Sequence, residues 1–303
     1  MNRLATCELG SSLTSRPVRS GAIGLLAGSG RFPILFAEAA ARQGLRVACV
    51  GVKYEASEQL RDLCESFELV GVSKLGGMIR AFRRRKISRI VMAGKVTKSV
   101  MYTPWRFVQL WPDPRMIHMW YRTCREDKRD DSILLGVIAE FARDGMTFDS
   151  ALDYCPELLV KTGILTRRKP TPAEFRDVSF GWTLAKEMGR LDVGQSVAVK
   201  ERAALAVEAI EGTDRCIERA GVLCRAGGWT LVKVAKPHQD MRFDVPTVGV
   251  ATIQNLHQAR ARVLAIEADK TIVVDQPEVV ALADKLGLSI VALHEDEAAS
   301  AVC

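Results

Sequence analysis

The chain has 303 residues, of which 48% are hydrophobic and 26% charged, with a formal net charge of +7 and a pI near 9.0. That is longer than a typical core of about 100 to 150 residues, so two domains are expected, and the composition excludes a disordered or fibrous chain. The apolar runs are too short and interrupted for a transmembrane helix, and positive charge with few interleaved aromatics favours anionic partners but not nucleic acid.

Residues 1–20 are rich in Ser, Thr and Arg and lack the apolar core of a secretory signal, so they read as a flexible extension of a cytosolic protein. Ala22 to Ala27 is an apolar strand, Gly28-Ser29-Gly30-Arg31 a tight turn, and Phe32 to Gln43 a helix with apolar positions spaced at three and four. Gly28 and Gly30 match the first two glycines of a dinucleotide fingerprint, but Pro33 stands where the third would be. A phosphate at the helix N-terminus and a purely structural turn both fit. Val47 to Val52 and Phe67 to Val70 read as strands, Gly77 to Arg85 as a helix, and Ile87 to Ala93 as a strand ending at Gly94-Lys95. Strands alternating with helices predict an α/β, Rossmann-like parallel sheet, with Gly28, Gly30, Gly94 and Lys95 along its ligand-binding rim.

Arg80, Arg83, Arg84, Arg85, Lys86 and Arg89 form a basic cluster that suits either a solvated helix end or an anionic partner. From Tyr102 to Arg125, Trp105, Trp111, Met116, Met119, Trp120 and Tyr121 are mixed with basic residues, which fits core packing or contact with lipid. Asp130 or Asp131 is expected either to cap a helix from Ile133 to Arg143 or to serve as a polar ligand. An irregular stretch after Gly145 reads as a linker or lid, and the domain boundary is placed near residue 155. This gives an N-terminal Rossmann-like domain over 21–155 and a C-terminal mixed α/β domain over 156–303. The second domain is expected to contain helices at Ala173 to Arg190, Asp214 to Arg225, Ile253 to Arg262 and Pro277 to Leu286. Its strands are expected at Val197 to Lys200, Ala203 to Ala209, Trp229 to Val234, Val263 to Ile266, Ile272 to Val274 and Ser289 to Leu293. Eight scattered cysteines without a Cys-x-x-Cys pair argue against zinc and for reduced thiols.

The most chemically suggestive segment is 233–249, where Lys236, Gln239, Asp240, Arg242 and Asp244 lie between Pro237 and Pro246. Two cations and a neutral donor can hold phosphate oxygens, while a carboxylate holds a divalent ion or orients water. His238 needs no role in such chemistry.

Arg190-Leu-Asp-Val-Gly-Gln195, Ala206 to Asp214, and Lys236-Pro-His-Gln239-Asp-Met-Arg242-Phe-Asp244-Val-Pro246-Thr-Val-Gly249 together resemble one family. It is the UDP-2,3-diacylglucosamine pyrophosphatases of lipid A synthesis, in their two-domain, magnesium-dependent form. The opening Gly24 to Pro33, Met92-Ala-Gly94-Lys95 and Arg129-Asp130-Asp131 resemble the same family, so the likeness spans roughly 21 to 295. The resemblance implies hydrolysis of UDP-2,3-diacylglucosamine to UMP and the diacylglucosamine 1-phosphate, with the substrate between the domains. It also implies a peripheral enzyme at the anionic inner face of the inner membrane, and leaves room for a homodimer. The family's functional aspartate corresponds to Asp244. Asp244 is accordingly the expected metal ligand or water-positioning acid, with Mg2+ as cofactor and Glu208 and Asp214 as secondary catalytic candidates. Glu211 fits a role in orienting its loop, and a plain surface or cap role fits Glu208, Glu211 and Asp214 equally well. Lys236, Gln239, Arg242, Gly28, Gly30, Gly94, Lys95 and Asp131 are the expected substrate-binding residues. A nicotinamide oxidoreductase is the first rival, weakened because Val52-Lys53-Tyr54-Glu55 supplies a ribose-binding acid only late. A non-catalytic binder of nucleotide sugars or lipid is the second.

Overall fold

The computed structural model describes residues 21–96, 111–124, 130–237, 239–242 and 245–300, apart from the side chains of 123, 124 and 130–132. The expected extension over 1–20, Trp105, His238 and Asp244 lie outside the described residues.

The first half builds a five-stranded sheet from β1 (Ala22–Ala27), β2 (Arg46–Val52), β3 (Ser66–Val70), β4 (Arg89–Ala93) and β5 (Thr147–Asp149). Every pairing is parallel, in the order β3-β2-β1-β4-β5. β2 is buried along nearly its whole length, as a strand covered on both faces must be. One face carries α1 (Phe32–Arg42) and α2 (Leu60–Leu63), with Phe36, Leu60 and Tyr154 in its core. The other carries α3 (Leu75–Arg84), α4 (Pro114–Met119) and α5 (Asp130–Ala142), packed through Phe82, Met119 and Phe141. Strand order reverses between β1 and β4, so the crevice beyond their carboxyl ends is where this topology places a ligand.

The second half builds a mixed sheet, β6-β13-β11-β9-β7-β8. Its strands are β6 (Gly163–Ile164), β7 (Ser196–Lys200), β8 (Ala203–Val207), β9 (Trp229–Lys233), β11 (Ala261–Glu267) and β13 (Ser289–Leu293), and β10 (Thr247–Val248) pairs separately with β12 (Ile272–Val273). α6 (Pro172–Arg190) and α10 (Glu295–Ser300) cover one face through Val178, Trp182 and Ala298. α7 (Thr213–Leu223), α8 (Val250–Gln258) and α9 (Gln276–Leu286) cover the other through Ile217, Leu256 and Val279. α6 starts with a full capping box, in which Thr171 and Glu174 satisfy each other's backbone amides.

Glu267, at the end of β11, is buried and accepts hydrogen bonds from Lys186 Nζ at 2.8 Å and from the Ala235 amide at 2.8 Å. Burial alone pushes this carboxyl up, but the Lys186 and Lys270 hydrogen bonds outweigh it and hold the group below 4.5. A depressed carboxylate stabilises the fold fully above its unfolded-state pKa, and that stability is lost as pH falls through the lowered native value. Glu267→Gln leaves Lys186 short of a charge partner, so it should cost roughly 3 kcal/mol near neutral pH, with the cost shrinking toward pH 3. Urea denaturation across pH measures both; a cost independent of pH would refute the ion-pair account.

The structure corrects several expected boundaries. The helix expected over Ile253 to Arg262 is α8, Val250–Gln258, because Arg260 takes a left-handed φ of 60° that ends it before β11. The helix expected from Ile133 begins earlier, so Asp130 and Asp131 fall within the described range of α5. The stretch after Gly145 holds β5, two 3-10 turns and β6, so it is an ordered connection. Arg84 and Arg85 close on Glu68 at 2.8 and 3.1 Å, Arg83 on Asp144 at 3.4 Å and Arg89 on Asp149 at 2.6 Å, so four of the six basic residues in the cluster are paired internally.

Candidate functional site

A cleft of about 670 Å³ runs between the two sheets' carboxyl-end loops. Its first wall is the β1–α1 turn with Gly30 and Arg31, facing Gly94 and Lys95 after β4; its second holds Glu208, Glu211, Thr213, Asp214, Lys233 and Arg242. Arg31 reaches across to Asp275 at 3.3 Å, and Ser150 Oγ donates to the Met241 carbonyl at 2.9 Å, so contacts between the halves flank the cleft.

Two glycines lock the first wall. Ser29 and Lys95 exchange backbone hydrogen bonds of 2.7 and 3.0 Å, tying the ends of β1 and β4 together. A Cβ on Gly28 would stand 2.4 Å from the Lys95 carbonyl oxygen, and one on Gly94, at φ +91°, 2.6 Å from the Ser29 oxygen. Close backbone approach therefore explains both residues, while Gly30, at φ +98° with open space around it, gives the turn its shape. The side chain of Arg31 makes no cap for α1, but Pro33 carries no N–H and the Ile34 amide donates to the Arg31 carbonyl at 3.1 Å, so the first turn leaves at most the Phe32 amide for a ligand. Among the described residues no acid pairs with the exposed Lys95 ammonium.

The second wall contains a buried relay that the sequence reading did not assemble. Lys233 Nζ donates to Thr213 Oγ1 at 2.8 Å, and Thr213 Oγ1 donates to Glu208 Oε1 at 3.1 Å. Both charged ends are buried, and Glu208 Oε2 has no hydrogen-bond partner among the described residues. Gln195 Oε1, also lining the cleft, is likewise buried and without a partner. Three elements bring these groups together: Glu208 follows β8, Thr213 opens α7, and Lys233 ends β9. Gly194 makes the approach possible, since a Cβ there would lie 2.1 Å from the Glu208 carbonyl oxygen. An unsatisfied carboxylate oxygen at such depth costs free energy, so its retention marks a place for a ligand atom. The signal in sequence was a lysine closing the apolar run Trp-Thr-Leu-Val-Lys233, and Lys233 was read only as the start of the polar loop.

The other expected site residues divide. Arg242 lines the cleft and is gripped by Asp240, whose two oxygens take its Nε at 2.9 and 3.0 Å. That hydrogen bond with Arg242 holds the Asp240 carboxyl below its usual range. Asp214 lies in the first turn of α7, accepts from Asn255 Nδ2 at 3.0 Å and faces the cleft. Glu211 pairs with Arg219 at 2.8 Å, consistent with ordering its loop. Lys236 closes on Asp192 at 2.6 Å and Gln239 Oε1 accepts from the Lys236 amide at 2.9 Å, so both brace the loop from behind the cleft wall. Asp131 starts α5 with its side chain outside the described residues, as is the whole of Asp244.

Among the described residues no three His, Cys, Asp or Glu side chains converge as a metal cluster. The two partnerless oxygens, Glu208 Oε2 and Gln195 Oε1, are nevertheless the hard donors that Mg2+ takes, so the site fits such an ion in donor type.

A family model described as the LpxI N-terminal domain matches residues 22–158, and one described as the LpxI C-terminal domain matches residues 161–291. A Caulobacter vibrioides protein named UDP-2,3-diacylglucosamine pyrophosphatase LpxI is 32% identical over 283 residues, covering 91% of this chain and 98% of the relative. Among solved structures, an N-terminal ketoreductase from a macrolactin assembly line gives a TM-score of 0.22 at 10% identity, over 90% of this chain and 54% of that one, a likeness too slight to use. With both halves matched in order and a relative aligned across nearly its full length, the chain belongs to the LpxI family.

Proposed function

We propose that this chain hydrolyses UDP-2,3-diacylglucosamine to UMP and 2,3-diacylglucosamine 1-phosphate as a step of lipid A biosynthesis. The observation that carries the reading is the cleft between two LpxI-type halves, with the partnerless Glu208 carboxylate oxygen on its wall beside Lys233 and Arg242. The same reading divides the chain near residue 155 and brings it as a peripheral protein to the cytoplasmic face of the inner membrane, where a diacylated substrate resides.

A diphosphate resists attack because its oxygens are anionic, so catalysis needs cations that neutralise charge and a group that takes the proton of water. Arg242 and Lys95 supply positive charge around the cleft, and Arg242 reaches it already oriented by Asp240. Water adds to the α-phosphorus, and the bridging oxygen leaves with the β-phosphate as the sugar 1-phosphate. Asp244 is the carboxylate proposed to orient that water, and Glu208, whose Oε2 has no partner among the described residues, is proposed to accept its proton. Asp214 on the same wall faces the substrate. Mg2+, held by Asp244 and Gln195 Oε1, would supply charge neutralisation and a more acidic water.

The test is release of UMP from UDP-2,3-diacylglucosamine in detergent, with Mg2+ and with chelator. Metal-dependent release is expected. Substrate that binds and stays whole under both conditions would make the chain a nucleotide-sugar or lipid binder instead.

A further inference from the structure

Two free cysteines meet beneath the edge of the first sheet. Cys49 stands in the middle of β2 and is fully buried. Cys64 follows α2 and precedes β3, half-buried, where the Glu65 amide donates to the Val47 carbonyl at 2.9 Å and draws the chain against β2. Both side chains pack into the core that holds Phe36, Leu60 and Phe67. There the two thiols hydrogen-bond to each other, with Cys49 donating and Cys64 accepting.

That contact makes the two sulfurs unequal. The hydrogen bond and burial both keep the proton on Cys49, whereas the bond that Cys64 accepts favours its thiolate and outweighs burial, holding this thiol below its ordinary range. The thiolate is the reactive form of cysteine, and Cys64 is the member of the pair that solvent reaches. Cys155 and Cys216 differ on both counts, since each is buried with its thiol pushed up, to about 12 and about 11. Metal binding is the rival use of paired thiols. Among the described residues, however, no third His, Cys, Asp or Glu joins these two, and a structural zinc site takes four ligands.

We propose that Cys49 and Cys64 form a redox site at which hydrogen peroxide closes a disulfide between β2 and the entry to β3. The Cys64 thiolate attacks one peroxide oxygen, the O–O bond breaks, and the other oxygen takes up a proton and leaves as water, so that Cys64 becomes a sulfenic acid. The Cys49 sulfur then attacks the sulfenic sulfur. The S–S bond forms, the S–O bond breaks, and the hydroxyl departs with the Cys49 proton as a second water. Two electrons thus pass from the two thiols to one peroxide. β3 is the outer strand of its sheet, held by β2 alone, so the bridge fastens an edge that has a single neighbour. Neither cysteine lines the cleft, and this chemistry does not depend on the hydrolase reading.

The test takes the full chain, fully reduced and freed of reductant, treats it with hydrogen peroxide, blocks remaining thiols with iodoacetamide and digests it with trypsin without reduction. Cleavage after Arg46, Lys53, Arg61 and Lys74 separates residues 47–53 from residues 62–74. Mass spectrometry is expected to find these two peptides joined, lighter by two hydrogens than their sum, and separate again after dithiothreitol. The joined species should be absent from Cys64→Ser. In Cys49→Ser the sulfenic acid on Cys64 has no resolving thiol, so its capture by dimedone should rise about tenfold over wild type. Before any peroxide is added, Cys64 should react with iodoacetamide about tenfold faster than Cys155 or Cys216. Recovery of both Cys49 and Cys64 as thiols, at a peroxide concentration that oxidises free cysteine, would overturn the proposal. So would Cys64 bridged to any cysteine other than Cys49, or a 47–53/62–74 link that forms only once the chain is unfolded in urea.

Discussion

Asp244→Asn is expected to lower the rate of UMP release by roughly 10² to 10⁴-fold, with KM for the nucleotide sugar little changed. Met241, Arg242, Val245 and Pro246 line the cleft, and the family resemblance assigns the reacting carboxylate to Asp244 in the same segment. Asparagine keeps the volume and one acceptor oxygen but removes the charge. That charge matters in two distinguishable ways. If Asp244 holds the ion, the variant needs far more Mg2+ for half-maximal rate and regains part of its activity at high metal concentration. If it only orients water, the Mg2+ titration midpoint stays put and kcat alone falls. A variant with wild-type kcat would remove Asp244 from the chemistry and shift the carboxylate role to Glu208 or Asp214.

How much of this was legible in the sequence depended on whether a signal was local. β1 was found at its observed limits because it is an apolar run bounded by Gly21 and Gly28. The parallel first sheet followed from strict alternation of strand and helix, and its order then fixed the rim at Gly28 and Gly94. β5 was missed because Thr-Phe-Asp is too short to show a period. Contacts separated far along the chain were harder still. Lys233, Thr213 and Glu208 stand on three different elements, and none carries a spacing that points to the others. Conversely, Lys236 and Gln239 looked like phosphate ligands because they share a polar loop with Arg242. The fold turns Lys236 toward Asp192 and closes Gln239 on its own loop, a consequence of the 189–195 turn packing behind it. The aromatic segment divided in a way its composition left open, Met116 and Met119 toward the core and Trp111 and Trp120 outward.

Glu208→Gln is expected to cut kcat by about 10² to 10³-fold while leaving the fold as stable as wild type or slightly more so. A buried carboxylate with one oxygen unsatisfied is a burden on folding, and the amide removes the charge while keeping Thr213 in contact through its own carbonyl. Lys233→Met should behave in the opposite sense for stability, because it strands Glu208 without the cation that Thr213 links to it; roughly 3 kcal/mol is expected, read from urea denaturation. Combining the two substitutions tests the relay directly. With both charges gone, most of the Lys233→Met penalty should disappear, giving a coupling energy well above the few tenths of a kcal/mol typical of independent sites. Activity should not return, since the proton acceptor is still absent. Additive stabilities would mean that Thr213 merely spaces two independent groups, and a double variant with restored hydrolysis would take Glu208 out of the reaction.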